Sequence, residues 1–160
     1  MSSKRNKSLV GRTRKPLTKA LLLPMDRASA RERSLSCHLA LVACRDGHGN
    51  GHLVNELMRA VYLGWYLQRA GYGHQPAEQF KITECAVETT LACAHETGEW
   101  RLAPEAISDF EALLALYDAQ LESVPLHKVL EAERRLRAFL AGTANSPLSR
   151  QTGHMRLQTV

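Results

Sequence analysis

Ile107, Phe110, Leu113, Leu114, Tyr117 and Leu121 recur at intervals of three and four residues between Pro104 and Pro125, which lines them along one side of a helix. Pro104 suits a first helical turn, where a missing N–H loses no partner. The same period returns in four further segments. One helix is expected from near Asp26, a cap candidate, to Asp46, with Leu35, Leu39, Val42 and Cys44 as its apolar positions. A second is expected from about His52 to Ala70, carrying Leu53, Leu57, Ala60, Val61, Leu63, Gly64 and Leu67 until Gly71-Tyr72-Gly73 stops it. A third follows Pro76, passes Phe80, Thr83, Val87, Leu91 and Ala94, and ends at Gly98, a residue suited to a left-handed cap. The last begins at Pro125, places Leu126, Val129, Leu130, Leu136, Phe139 and Leu140 on its stripe, and closes at Gly142.

No stretch alternates with period two while being rich in Val, Ile and Thr, so no strand is expected. Five helices with short connections imply an all-α fold, an antiparallel bundle. The helix starts are evenly spaced, but no side-chain pattern recurs with them, which argues against a solenoid. The expected organisation is a basic, disordered arm over residues 1–25, a helical domain over 26–142 and a short flexible tail over 143–160. Leu21, Leu22 and Leu23 are apolar enough to dock on the body.

Charge divides along the same boundaries. Lys4, Arg5, Lys7, Arg12, Arg14, Lys15 and Lys19 precede the first acid, and Arg134, Arg135, Arg137, Arg150 and Arg156 follow the last one, so the two ends carry +12. Residues 20–133 hold nine cations and all sixteen acids, a balance of −7. Such a split describes a folded body with extensions that seek a polyanion or an acidic partner. The 160 residues suffice to bury a core without a metal or a disulfide. Cys37 and Cys44 fall within one expected helix and Cys85 and Cys93 within another. Helical rise separates each pair by roughly 10–12 Å, beyond disulfide reach, so reduced and mostly buried thiols are expected. No apolar run approaches the ~18 residues of a membrane span. The basic start followed by Leu21-Leu22-Leu23 lacks the long apolar core and cleavage site of a signal peptide. A cytoplasmic protein with no membrane contact is the expectation.

Five kinds of site come into question. Cys44, His48 and His52 have a C-x3-H-x3-H spacing that an unbroken helix would gather for zinc, but Gly47, Gly49 and Gly51 break that helix, and no metal or other cofactor is expected. The same glycine run lacks the preceding strand and the Lys-Ser/Thr pair of a phosphate loop. Catalytic residue types are present without any arrangement that defines a catalytic set, so no enzyme is expected. The arm, together with Arg134, Arg135 and Arg137, can neutralise several phosphates and release their counterions. It lacks aromatics for base stacking. Finally, Tyr62, Trp65 and Tyr66 gather on one side of the second helix, as a protein-binding face would; core packing would use the same spacing. Trp100, beside Gly98, suits a plug between helices.

The segment Thr97-Gly98-Glu99-Trp100-Arg101-Leu102 and the later Ala115-Leu116-Tyr117-Asp118-Ala119-Gln120-Leu121 resemble a loose group of small helical proteobacterial proteins that begin with a basic Lys/Arg segment. The resemblance spans about residues 80–140 and, more faintly, the arm. Some of that group are labelled Fis-type regulators, although the short helix-turn-helix of that label has no counterpart here. The resemblance implies a bacterial accessory or regulatory role and supplies no catalytic residue. The expected function is therefore non-catalytic nucleic-acid binding through the basic termini. The alternative is a helical protein-interaction module, an oligomeric adaptor or an inhibitor of a host complex.

Overall fold

The computed structural model describes residues 16–142 and 146–148. The described residues form six helices: α1 (Lys19–Leu22), α2 (Arg27–Arg45), α3 (Gly51–Arg69), α4 (Ala77–Thr97), α5 (Ile107–Ser123) and α6 (Leu126–Ala141). No strand forms among the described residues. The five long helices are those the periodicity predicts, with ends displaced by a residue or a few. A 3-10 turn at Pro104–Ala106 leads into α5.

The caps follow local chemistry. Asp26 Oδ1 accepts from the Ser29 N–H at 2.9 Å and Oδ2 from the Ser29 hydroxyl at 2.6 Å, so the first turn of α2 has a partner for one of its unpaired amides. These bonds favour the ionised carboxylate and hold Asp26 below its usual pKa. Asn50 does the same for α3 by accepting from Leu53 N at 3.0 Å. Gly98 ends α4 in the left-handed region, φ 77°, where a β-carbon would be strained.

Helix α3 is the centre of the bundle and packs against α2, α4, α5 and α6. Its buried residues include the unbroken run Ala60, Val61, Tyr62, Leu63, Gly64 and Trp65, which is the mark of a helix enclosed on all sides. Phe80, Phe110, Leu113 and Leu121 from the neighbouring helices share its core. Gly64 lets the buried Gln120 of α5 come close, and its Nε2 donates to Gly64 O at 3.1 Å and to Tyr72 O at 2.7 Å. A buried amide therefore serves two backbone acceptors at the α3–α5 crossing.

The glycine run between α2 and α3 is explained by its neighbour. Leu102 N donates to Cys44 O at 3.1 Å, drawing the α4–α5 link across the run, and a side chain at Gly49 would collide with the Trp100 carbonyl and the Cys44 sulfur. The Trp100 ring lies over Gly51. Trp100 is thus the plug its position suggests, and the glycines are there to admit it.

Four expectations are corrected. Leu35, Leu39 and Val42 do not face the core: they are 59%, 57% and 43% exposed, and α2 instead buries Ala30, Cys37, Ala40, Leu41 and Cys44. Cys85 and Cys93 are exposed, so only two of the four thiols are buried. The arm does not extend to residue 25, because Lys19–Leu22 is helical and Met25 is buried. The tail does not leave the body at 143: Leu148 is buried, and the Ser146 hydroxyl donates to Glu84 Oε1, the oxygen that also accepts from Tyr62 OH at 2.7 Å. Two hydroxyl donors on one oxygen give this buried carboxylate its partners.

Candidate nucleic-acid interface

Pro125 starts α6 without any side-chain cap. Its first amides still need acceptors. The N-terminal segment supplies one: Leu126 N donates to Leu23 O at 2.8 Å, with Pro24 lying antiparallel beside Pro125. One turn earlier, the Leu21 carbonyl accepts from His127 Nδ1 at 2.9 Å. A carbonyl only accepts, so Nδ1 carries the proton. Leu22 and Leu23 remain half-exposed, and the hydrogen bonds that dock the segment are accepted by its backbone carbonyls. The segment Leu21–Leu23 therefore lies at the start of α6, about 12 Å of helix rise from Arg134.

Along α6, acids and cations are arranged in sets. Glu131 accepts from Lys128 Nζ at 3.3 Å and Arg135 Nη2 at 2.9 Å. The Lys128 hydrogen bond, opposed by slight burial and helped by the charges of Lys128, Arg135 and Arg134, holds the Glu131 carboxyl below its ordinary pKa. Glu133 takes Arg33 of α2 at 2.5 Å and Arg59 of α3 at 3.6 Å. Burial opposes the charge on Arg33, and the Glu133 bond outweighs it. Each acid of α6 is thus surrounded by two cations. Arg137 bonds only the Glu133 carbonyl, at 3.4 Å, and Arg134 has no carboxylate partner among the described residues. Both are exposed and share the outer side of α6 with Leu130, 41% exposed.

The sequence candidates divide accordingly. Arg134, Arg135 and Arg137 lie on α6, with Arg135 committed to Glu131, and exposed Lys19 is in α1, which docks on the same helix. Lys4, Arg5, Lys7, Arg12, Arg14 and Lys15 lie outside the described residues. Tyr62 and Trp65 are buried, 6% and 5% exposed: Tyr62 packs edge-on against Phe139 at 5.4 Å and Trp65 against Phe80 at 5.2 Å. A protein-binding face through them is withdrawn, because the central position of α3 turns both rings into core; Tyr66 is half-buried beside them. The zinc set does not assemble. Cys44 is buried, its thiol pKa raised by desolvation, while His48 and His52 are exposed, and no group of three metal-ligating side chains occurs among the described residues.

Sequence reasoning missed Arg33 and Arg59, which join this cluster from other helices, and His127, which binds the Leu21 carbonyl. The pair Pro24 and Pro125 is the one signal that could have suggested two extended segments side by side. No family model, curated protein or solved structure matches the chain. Among the described residues no helix is long and apolar enough to cross a membrane.

Proposed function

We propose that this chain is a non-catalytic accessory or regulatory protein that binds nucleic acid, the arm and the outer side of α6 acting as one polyanion-binding face. The observation that carries the reading is the docking of Leu21–Leu23 on the start of α6. It holds Lys19, the last cation of the N-terminal basic segment, on the helix that carries Arg134 and Arg137, more than a hundred residues away in sequence. Internal pairing of Glu131 and Glu133 with four cations removes the acids that would repel phosphate, and leaves Arg134 and Arg137 to meet it. The face has no exposed aromatic platform on α6, so phosphate contact rather than base stacking supplies the affinity. A bacterial setting, which the resemblance of residues 80–140 implies, and a cytoplasmic location belong to the same proposal.

The direct test is anisotropy of labelled single-stranded and duplex oligonucleotides titrated with the full chain and with residues 16–160. Binding that weakens steeply with salt and is reduced by the deletion supports the reading. No binding of the full chain at low salt overturns it. A protein-interaction role has its own support, from the outward apolar stripe of α2 rather than from the aromatic residues.

A further inference from the structure

Helix α2 is inverted with respect to size. Its inward side is built mainly from Ala30, Cys37, Ala40 and Cys44, with Leu41 the one large aliphatic among them, whereas Leu35, Leu39 and Val42 point outward. A surface helix ordinarily turns its large aliphatics to the core. The three outward residues stand at i, i+4 and i+7, so they form one continuous stripe over two turns. Packing of α2 against α3 and α5 occupies the opposite side, and the stripe faces away from the body.

Charged residues border this stripe unevenly. At 100° per residue, Arg31 falls on one flank and Glu32 on the other, both exposed; Arg45, on the Arg31 side, is paired with Asp46 at 2.9 Å. Arg31 also borders a groove with Asp118 and Glu122, acids that keep a cation on that flank. The face is thus apolar along its centre, basic on one edge and acidic on the other.

We propose that a second copy of this chain docks on the stripe, the two α2 helices lying parallel about a two-fold axis that runs along them. A two-fold interface must be complementary to itself. In a parallel pair opposite flanks meet, so Arg31 of each copy faces Glu32 of the other while Leu35 meets Leu35 and Val42 meets Val42. In an antiparallel pair each flank would meet itself, setting Arg31 toward the Arg45–Asp46 pair, so that Arg31 and Glu32 would not meet. A parallel second copy thus offers a partner to Arg31 and to Glu32 alike, which is the complementarity that favours it. The stripe is short, so the pair belongs with small, weak interfaces.

Sedimentation equilibrium of the full chain between about 1 and 200 µM tests this. The expected result is a monomer–dimer equilibrium in which Leu39→Asp raises the dissociation constant on the order of 30-fold or more, with helical circular dichroism and unfolding midpoint unchanged. Leu35→Asp should do the same. Arg31→Glu should weaken the dimer, and Arg31→Glu combined with Glu32→Arg should restore it. In a Cys85→Ser, Cys93→Ser background, Val42→Cys should form an intermolecular disulfide on oxidation, as only the parallel arrangement brings position 42 to itself. A chain that stays monomeric throughout, a dimer indifferent to both aspartates, or a double charge exchange no better than the single one would overturn the proposal.

Discussion

His127 Nδ1 and the Leu21 carbonyl oxygen lie 2.9 Å apart, a bond between residues 106 positions apart in the chain. Together with Leu126 N on Leu23 O at 2.8 Å, it makes the N-terminal segment the cap of α6. A helix that begins at a proline, with no capping side chain of its own, has borrowed the carbonyls of a distant segment. The consequence is positional: Lys19–Leu22, the first described helix, is held at the start of the helix that carries Arg134 and Arg137.

His127→Ala removes one half-buried hydrogen bond and should lower stability by about 1 kcal/mol without unfolding the bundle. Urea denaturation monitored by circular dichroism checks the value. In the proposed polyanion interface the same change should weaken oligonucleotide binding while leaving the arginines in place, because the Leu21–Leu23 segment is held less firmly on α6.

Arg134 and Arg137 are the cations of α6 with no carboxylate partner among the described residues. Replacing both with alanine should leave the unfolding midpoint nearly unchanged, as exposed substitutions do. The slope of log affinity against log salt should fall by about two, one for each phosphate that is no longer neutralised. Arg135→Ala should have a smaller effect, since Arg135 already bonds Glu131.

The four thiols should divide in two. Cys85 and Cys93 are exposed and Cys37 and Cys44 buried, so an aromatic disulfide reagent should titrate two rapidly and two only on unfolding. Burial, with smaller contributions from Glu56 and Asp118 that outweigh Arg59 and Arg33, raises Cys37 from 9.0 to about 11. A raised thiol pKa favours the fold while the thiol is neutral. Its contribution is fully present below 9.0 and is lost as pH rises through about 11. Cys37→Ala should therefore flatten the alkaline limb of the stability profile.

Trp65→Ala should cost about 3–5 kcal/mol, because the ring is buried against Phe80. A loss under about 1 kcal/mol by urea denaturation would contradict its place in the core.

Where the sequence was informative, periodicity carried the information. The stripe from Ile107 to Leu121 identified α5 because most of those positions are buried on one side. Periodicity cannot choose between two stripes on the same helix, and α2 has two: Leu35, Leu39 and Val42 are larger, but Ala30, Cys37, Ala40 and Cys44 fit the close approach to its neighbours. In α3 the clue was present, since residues 60–67 contain no charge and a helix without a polar side has no surface on which to display Tyr62 and Trp65. The basic cluster was half legible. Arg134, Arg135 and Arg137 are adjacent in sequence, whereas their setting depends on Arg33, Arg59 and Leu21, which only tertiary packing brings to α6. The return of Ser146 to Glu84 has no periodic signature at all.

The central claim is that arm and helix form one face, and a double-deletion cycle tests it most directly. Affinity for a single oligonucleotide would be measured across salt for the full chain, for residues 16–160, for Arg134→Ala/Arg137→Ala, and for both changes together. The account predicts that each change alone lowers affinity and salt slope and that their effects are coupled, the combined loss differing from the sum of the two. Binding that depends on the arm alone, with the α6 arginines indifferent in both backgrounds, would contradict it.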